Sequence, residues 1–89
     1  MKTGVVDTVI DGDTFTFETG ETIRLANVNA PEKGTPNAAK VREELNNLIG
    51  GKTIAYEVKA RDVYGRFVAE VWIDGRNVND EIIRFISGL

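Results

Sequence analysis

A single helix set among short β-strands is the feature that most limits how this chain can fold. Thr35-Pro36 is a typical helix start, because the hydroxyl caps the first turn and proline fits the first helical position. The glycine pair Gly50-Gly51 ends the segment. Between these limits the apolar residues recur at the spacing of one helix face: Ala38, Val41, Leu45, Leu48 and Ile49. The sequence therefore predicts one amphipathic helix starting at Thr35-Pro36.

Three short strands are predicted before this helix and two after it. They span residues 4–10, 13–18, 21–28, 52–60 and 66–73, where apolar or β-branched residues alternate with polar ones. A last helix capped by Asn77 or Asn79 follows the fifth strand. This order predicts an α+β fold, a five-stranded oligonucleotide/oligosaccharide-binding (OB) barrel with one helix after strand 3 and one at the C-terminus. We expect residues 1–89 to form one domain.

The composition restricts the chemistry. The 89 residues include no cysteine and no histidine, which excludes disulfides, thiolate or imidazole metal sites and most nucleophile–base dyads. A bound metal must have oxygen ligands, and oxygen ligands favour hard cations such as Ca²⁺ or Mg²⁺. The net charge of −3 argues against a broad basic surface for nucleic acid but allows one focused site.

The sequence also bears on where the protein acts. No apolar run is long enough to span a membrane, and residues 1–10 lack a signal-peptide core. The default expectation is a cytoplasmic monomer with no membrane partner, and a secreted mature domain stays open as the alternative.

Polar residues stand at several strand ends where a site could form. Asp11 and Asp13 flank a turn glycine and could both face a cation, but the same residues are common in ordinary turns. Arg24 lies in an apolar strand, where an arginine commonly faces solvent; if it faces the barrel mouth, its guanidinium could hold two phosphate oxygens together. Tyr64 and Arg66 could add a stacking ring and a second arginine. The residues alone thus indicate a cation beside a phosphate and leave the reaction open.

Five segments of the chain, in order and approximate spacing, resemble the successive motifs of the staphylococcal nuclease (thermonuclease) family. They are Val9-Ile10-Asp11-Gly12-Asp13-Thr14, Ile23-Arg24-Leu25, Val28-Asn29-Ala30-Pro31-Glu32, Asp62-Val63-Tyr64-Gly65-Arg66 and Asp74-Gly75-Arg76-Asn77-Val78-Asn79. Each segment alone is unspecific, but five in the right order within 89 residues are hard to obtain by chance. The resemblance covers nearly the whole chain and implies the same five-stranded barrel with helices.

The resemblance implies Ca²⁺ as cofactor. The implied ligands are Asp13, Asn29 and the backbone carbonyl of Ala30, with Asp11 acting through bound water. Asn29 stands where the best-known member of the family has an aspartate. An amide oxygen can coordinate Ca²⁺ without contributing charge, so we expect weaker Ca²⁺ binding.

The resemblance further implies how the substrate is held and cleaved. Arg24 and Arg66 match the pair that binds the phosphate, Glu32 matches the general base or organiser of the attacking water, and Tyr64 lines the nucleotide site. The implied reaction is Ca²⁺-dependent hydrolysis of DNA or RNA, single-stranded or loosened, that leaves 3′-phosphate ends. Two alternatives stay open: a catalytically weak or inactive binding module of the same fold, and a domain whose activity needs residues beyond Leu89.

Overall fold

Alternating apolar and polar residues form the strands of a barrel in the computed structural model, which describes residues 1–89. The strands are β1 (Lys2–Asp11), β2 (Thr14–Phe17), β3 (Thr22–Leu25), β4 (Thr53–Arg61), β5 (Phe67–Ile73) and the two-residue β6 (Arg76–Asn77). The helices are α1 (Pro36–Ile49), between β3 and β4, and α2 (Val78–Ser87), after β6. The predicted α+β barrel of five main strands with a helix after the third strand and another at the C-terminus is confirmed. Neither helix combines the length and apolar character needed to cross a membrane.

The strands are hydrogen-bonded in the order β3-β2-β1-β4-β5-β6, and all of these neighbours are antiparallel. A parallel pairing between β3 and β5 closes the sheet into a barrel, with Ile23 opposite Phe67 and Leu25 opposite Ala69. The long strand β1 pairs with β4 through its first half and with β2 through its second. Two register irregularities in the second half bend β1, so it can serve both neighbours.

The inward side chains of the strands and one face of each helix form a single core of 15 buried apolar residues. Of the predicted face of α1, Val41, Leu45 and Ile49 are buried, whereas Ala38 and Leu48 are partly exposed. The predicted cap is present, because the Thr35 side-chain oxygen accepts a hydrogen bond from the Ala38 backbone N–H at 3.2 Å.

The third strand is shorter than predicted. It ends at Leu25, and the exposed Asn27 has a left-handed backbone with φ of 62°, so the predicted extension through residue 28 is wrong. Asparagine tolerates this conformation better than most residues. After this bend the chain leaves the sheet, while Val28 still enters the core.

Asn79 connects α2 to the barrel closure. Its Nδ2 donates to the carbonyls of Ala26 (3.0 Å) and Ala69 (3.1 Å), and its Oδ1 accepts from the Val71 backbone N–H at 2.9 Å. The side chain is 2% exposed. Asn77, rather than Asn79, caps α2, because its Oδ1 accepts from the Asp80 backbone N–H. Asn79 therefore satisfies polar backbone groups at the point where β3 and β5 meet.

Replacing Asn79 by alanine should lower the free energy of unfolding by about 2–4 kcal/mol, since buried backbone groups would lose their partners. Asn77→Ala is the matched control and should cost about 1 kcal/mol, the usual contribution of a helix cap. Urea unfolding of both variants measures the difference. Equal losses in the two variants would contradict the role given to Asn79.

Candidate functional site

The turn between β1 and β2 brings two carboxylates together at one end of the barrel. The Asp13 backbone N–H donates to Asp11 Oδ1 at 3.1 Å. One Asp13 oxygen, Oδ1, accepts from the Thr14 hydroxyl at 2.9 Å, and the other, Oδ2, accepts from the Ala30 backbone N–H at 3.3 Å. Asp13 thereby links the turn to the loop that follows β3.

Gly12 lets this turn approach its neighbours. A Cβ atom at this position would lie 2.3 Å from Val41 Cγ1 and 3.2 Å from the Ala30 Cβ. Both neighbours belong to segments remote in sequence, the helix α1 and the loop after β3. The sequence identified Gly12 as a turn residue, but the contact with α1 is an additional reason for glycine here that no local pattern reveals.

The two carboxyls differ in acidity. Burial raises the pKa of Asp11, and its hydrogen bond to the Asp13 side chain raises that pKa further. Burial also acts to raise the pKa of Asp13, but hydrogen bonds from Asp11, Thr14 and Ala30 and the charge of Arg24 outweigh it and lower the pKa. Asp13 is therefore the carboxylate that holds its negative charge more strongly.

Arg24 lies beside Asp13. Its neighbours in β3, Ile23 and Leu25, point into the core, so Arg24 lies on the outer face of the barrel. Its Nη1 donates to the Leu25 carbonyl (3.1 Å) and its Nη2 to the Val28 carbonyl (2.9 Å), with Nη2 3.5 Å from Asp13 Oδ2. These contacts fix a guanidinium whose side chain is 24% exposed and leave part of its donor set available.

Arg66 is fixed by a different carboxylate, Asp62, across the loop between β4 and β5. The Arg66 Nε donates to Asp62 Oδ2 at 2.6 Å. Asp62 Oδ1 accepts from the backbone N–H groups of Tyr64 (3.0 Å) and Arg66 (2.9 Å), so one side chain shapes the loop and holds the arginine. The Arg66 guanidinium carbon lies 5.3 Å from the centre of the Tyr64 ring. The sequence alone assigns no role to Asp62, although an Asp four residues before an Arg across a glycine turn is a usable signal.

The parallel β3–β5 pairing places the two arginines on the same face. Arg24 is opposite Val68, and Arg66 lies two residues before Val68. Such diagonal neighbours have Cα atoms on the order of 7–8 Å apart. Because alternation puts both side chains outside the barrel, Arg24 and Arg66 lie on the same outer face.

The side chains of the other predicted site residues make fewer contacts with the rest of the site. Asn29 and Glu32 are exposed and their side chains make no hydrogen bond or ion pair, while Tyr64 is 81% exposed at its loop tip. Asn29 directly precedes Ala30, which contacts Asp13. The Glu32 carbonyl accepts from the Thr35 hydroxyl at 2.8 Å, so Glu32 lies next to the start of α1. The roles of these residues stay predictions.

A cleft of about 530 Å³ lies between the β1–β2 turn and α1. It is lined by Ile10, Asp11, Asp13, Ala30, Pro31, Lys33, Gly34, Thr35, Pro36, Ala38, Ala39 and Arg42. No three acidic residues converge anywhere in the structure. The ionisable donors on the turn side are the two carboxylates, which suit a hard cation that keeps several water ligands. The donor set at the turn therefore fits a hard cation such as Ca²⁺ or Mg²⁺.

Comparison with known proteins identifies the family. A family profile described as "Staphylococcal nuclease homologue" matches residues 22–86. The chain belongs to this family. Its bacterial relatives include an "Uncharacterized endonuclease" of Escherichia coli, 36% identical over 85 residues, which cover 91% of this chain and 56% of the relative. A second "Uncharacterized endonuclease", of Haemophilus influenzae, is 32% identical over 80 residues, which cover 85% of this chain and 45% of the relative.

A plant relative is much longer than this chain and matches a smaller part of it. The "Probable staphylococcal-like nuclease CAN1" of Oryza sativa subsp. japonica is 32% identical over 62 residues, or 70% of this chain and 19% of the relative. This staphylococcal nuclease homologue spans about half the length of the bacterial relatives it matches. The resemblance predicted from the five motifs is thereby confirmed at the level of the family.

The unequal acidity of the two carboxyls predicts opposite effects of their neutral variants. Because the pKa of Asp11 is raised by folding, its contribution to stability is present below the unfolded pKa, about 3.9, and is lost as the pH rises through the folded pKa. Asp11→Asn should therefore raise the free energy of unfolding at pH 7 and lose this advantage near pH 3.

Folding shifts the pKa of Asp13 in the opposite direction to that of Asp11, so the Asp13→Asn variant serves as the control. Its pKa is lowered by folding, so its contribution is present above the unfolded pKa and is lost as the pH falls through the folded pKa. Asp13→Asn should therefore destabilise the protein at pH 7. Urea unfolding in chelator at both pH values measures these effects, and a destabilised Asp11→Asn variant at pH 7 would contradict the assignment.

Proposed function

We propose that this domain is a nuclease that hydrolyses phosphodiester bonds of DNA or RNA with Ca²⁺ as cofactor. The observation that carries the proposal is the pair of fixed arginines, Arg24 and Arg66, on one face, with Arg24 3.5 Å from the Asp13 carboxylate. Membership of the staphylococcal nuclease homologue family and relatives named as endonucleases support it.

The arginines would bind the reacting phosphate and stabilise the transition state. Their free N–H groups can donate to the non-bridging oxygens, where negative charge increases as the reaction proceeds. The carbonyls of Leu25 and Val28 hold Arg24, and Asp62 holds Arg66. Because these contacts exist before substrate binds, the donors need little reorganisation during the reaction.

The residues that would hold Ca²⁺ are Asp13, Asn29 and the Ala30 carbonyl, with Asp11 acting through water. When bound, Ca²⁺ would supply positive charge beside a phosphate oxygen and make a nearby water more acidic. The lowered pKa of Asp13 supports this arrangement, since the ligand is ionised over a wide pH range.

Glu32 is proposed to accept the proton of the attacking water or to orient that water. The water oxygen bonds to phosphorus while the bond from phosphorus to the 5′ oxygen breaks, and the leaving oxygen takes up a proton. The products are a 3′-phosphate and a 5′-hydroxyl. The exposed Glu32 carboxylate makes no competing hydrogen bond, which leaves it available for this task.

The substrate is proposed to be single-stranded or locally opened. Tyr64, exposed at the tip of its loop, offers a ring face on which an unpaired base can stack. All the proposed site residues come from one chain, which supports action as a monomer.

Removing a phosphate contact or the proposed base should abolish most activity. Arg66→Ala and Glu32→Gln are each expected to reduce Ca²⁺-dependent cleavage of denatured DNA by about 10²-fold or more. Arg61→Ala is the matched control, because Arg61 belongs to the same hairpin but lies over the Phe67 ring, 4.7 Å from its centre. Digestion assays with Ca²⁺ and with chelator measure the effect. Wild-type protein that cleaves no nucleic acid would refute the proposal.

Asn29 provides a test of the metal site that does not depend on cleavage. Asn29→Asp adds one negative charge beside Asp13 and should raise the apparent Ca²⁺ affinity, since ligand charge is a main determinant of that affinity. Asn27→Asp adds the same charge two residues away and should have a smaller effect. Calcium titration by calorimetry distinguishes the two variants. Equal affinities in both would argue against Asn29 as a ligand.

A second candidate function is nucleic-acid binding without catalysis. The neutral Asn29 favours it, because it contributes no negative charge to a Ca²⁺ site. It predicts oligonucleotide binding that weakens with salt, ignores Ca²⁺ and leads to no cleavage.

A further inference from the structure

The two site arginines do not explain how this acidic protein would attract a polyanion. Arg24 lies 3.5 Å from Asp13, and Arg66 lies 2.6 Å from Asp62, so each positive charge is offset by a carboxylate. The whole chain carries a net charge of −3. An attractive field for nucleic acid must therefore come from cations that are not already paired.

Two unpaired cations line the cleft beside the candidate site. Lys33 lies in the loop before α1, and Arg42 lies on α1 itself. Neither has a carboxylate within 4.0 Å, whereas the ion pairs of this chain engage Arg24, Lys59, Arg66 and Arg76. Both side chains are exposed and can reach a ligand without breaking an existing contact.

The shape of the cleft suits an extended ligand. Ala38 and Ala39 lie four and three positions before Arg42, share its helix face and line the cleft with small side chains. Two further small residues, Ala30 and Gly34, also line the cleft. The volume of about 530 Å³ falls within the range of sites that hold small organic ligands and could admit one nucleotide unit.

The negative and positive charges of the cleft lie on different walls. Asp11 and Asp13 belong to the wall formed by the β1–β2 turn, and Lys33 and Arg42 belong to the wall formed by α1 and the loop before it. A phosphate is repelled by the first wall and attracted by the second. A ligand with one phosphate at Arg24 and Arg66 and another at the α1 wall must carry at least two phosphates, as the two sides of one nucleoside do in a strand.

We propose that this cleft binds a phosphodiester of the same strand, next to the one held by Arg24 and Arg66, through Lys33 and Arg42. The cleft would make the domain select polynucleotide strands over nucleoside monophosphates. This inference deepens the proposed nuclease function and rests on it for the position of the reacting phosphate, but strand binding itself can be measured without cleavage.

The test is oligonucleotide binding in chelator by fluorescence anisotropy, with an eight-nucleotide single strand at several salt concentrations. The variants are Lys33→Gln, Arg42→Gln and the double variant. Lys40→Gln is the matched control, since Lys40 lies on the same helix, is exposed, changes net charge equally and does not line the cleft. Urea unfolding checks that all four variants remain folded.

Each cleft variant should weaken strand binding several-fold and reduce the slope of log K against log salt by about 0.7, and the double variant by about twice that. Lys40→Gln should leave the slope unchanged. Binding of a nucleoside 5′-monophosphate, followed by NMR at Tyr64 and Arg66, should be the same in all variants.

Three results for the variants and competitors would overturn the proposal, and so would one result for the wild type. They are an unchanged slope in the cleft variants, an equal change in Lys40→Gln, and competition by poly-glutamate as effective as that by the oligonucleotide, which would indicate an acidic protein partner. Wild-type protein that does not bind the strand at all would also overturn it. Wild-type protein that binds the strand with the predicted dependence on Lys33 and Arg42 but cleaves nothing with Ca²⁺ would refute only the nuclease activity.

Discussion

The parallel pairing of β3 with β5 is the contact on which the rest of the structure depends. It consists of three residue pairs, from Ile23 opposite Phe67 to Leu25 opposite Ala69, yet it converts an open sheet into a barrel. Parallel strands cannot be joined by a tight turn, and here the connection runs through α1 and β4. So short a pairing needs support beyond its own ladder, which Asn79 supplies by bonding to backbone groups on both sides of the closure.

The same closure determines the geometry of the candidate site. Arg24 and Arg66 are 42 positions apart in sequence, and the β3–β5 register makes them diagonal neighbours on the outer face. The carboxylate turn is positioned independently, by the close contact of Gly12 with Val41 of α1. Barrel closure and helix packing thus each position one half of the site, and the Asp13–Arg24 contact joins the two halves.

The sequence predicted those features that depend on neighbouring residues. Alternation located the strands, and Thr35 with the apolar spacing after it located α1. The features it missed depend on contacts between distant segments: Asn79 bonds to Ala26, 53 residues away, and Gly12 meets Val41. The same limit applies to the site, because the family motifs named the residues while their mutual distances depend on the closed barrel.

Each site arginine is paired with a carboxylate, so orienting donors on the phosphate and attracting the polyanion fall to different cations. In a single basic patch the same cations would do both. A guanidinium held by fixed partners has a defined orientation, which favours recognition of a charge distribution such as that of a transition state. Its charge is offset, however, so it contributes little to the long-range attraction that brings a polyanion to the surface. An acidic domain with such arginines therefore needs separate, unpaired cations for capture, and these are effective only if they lie where the bound strand passes. In this chain Lys33 and Arg42 meet that condition by lining the cleft that Asp13 also lines.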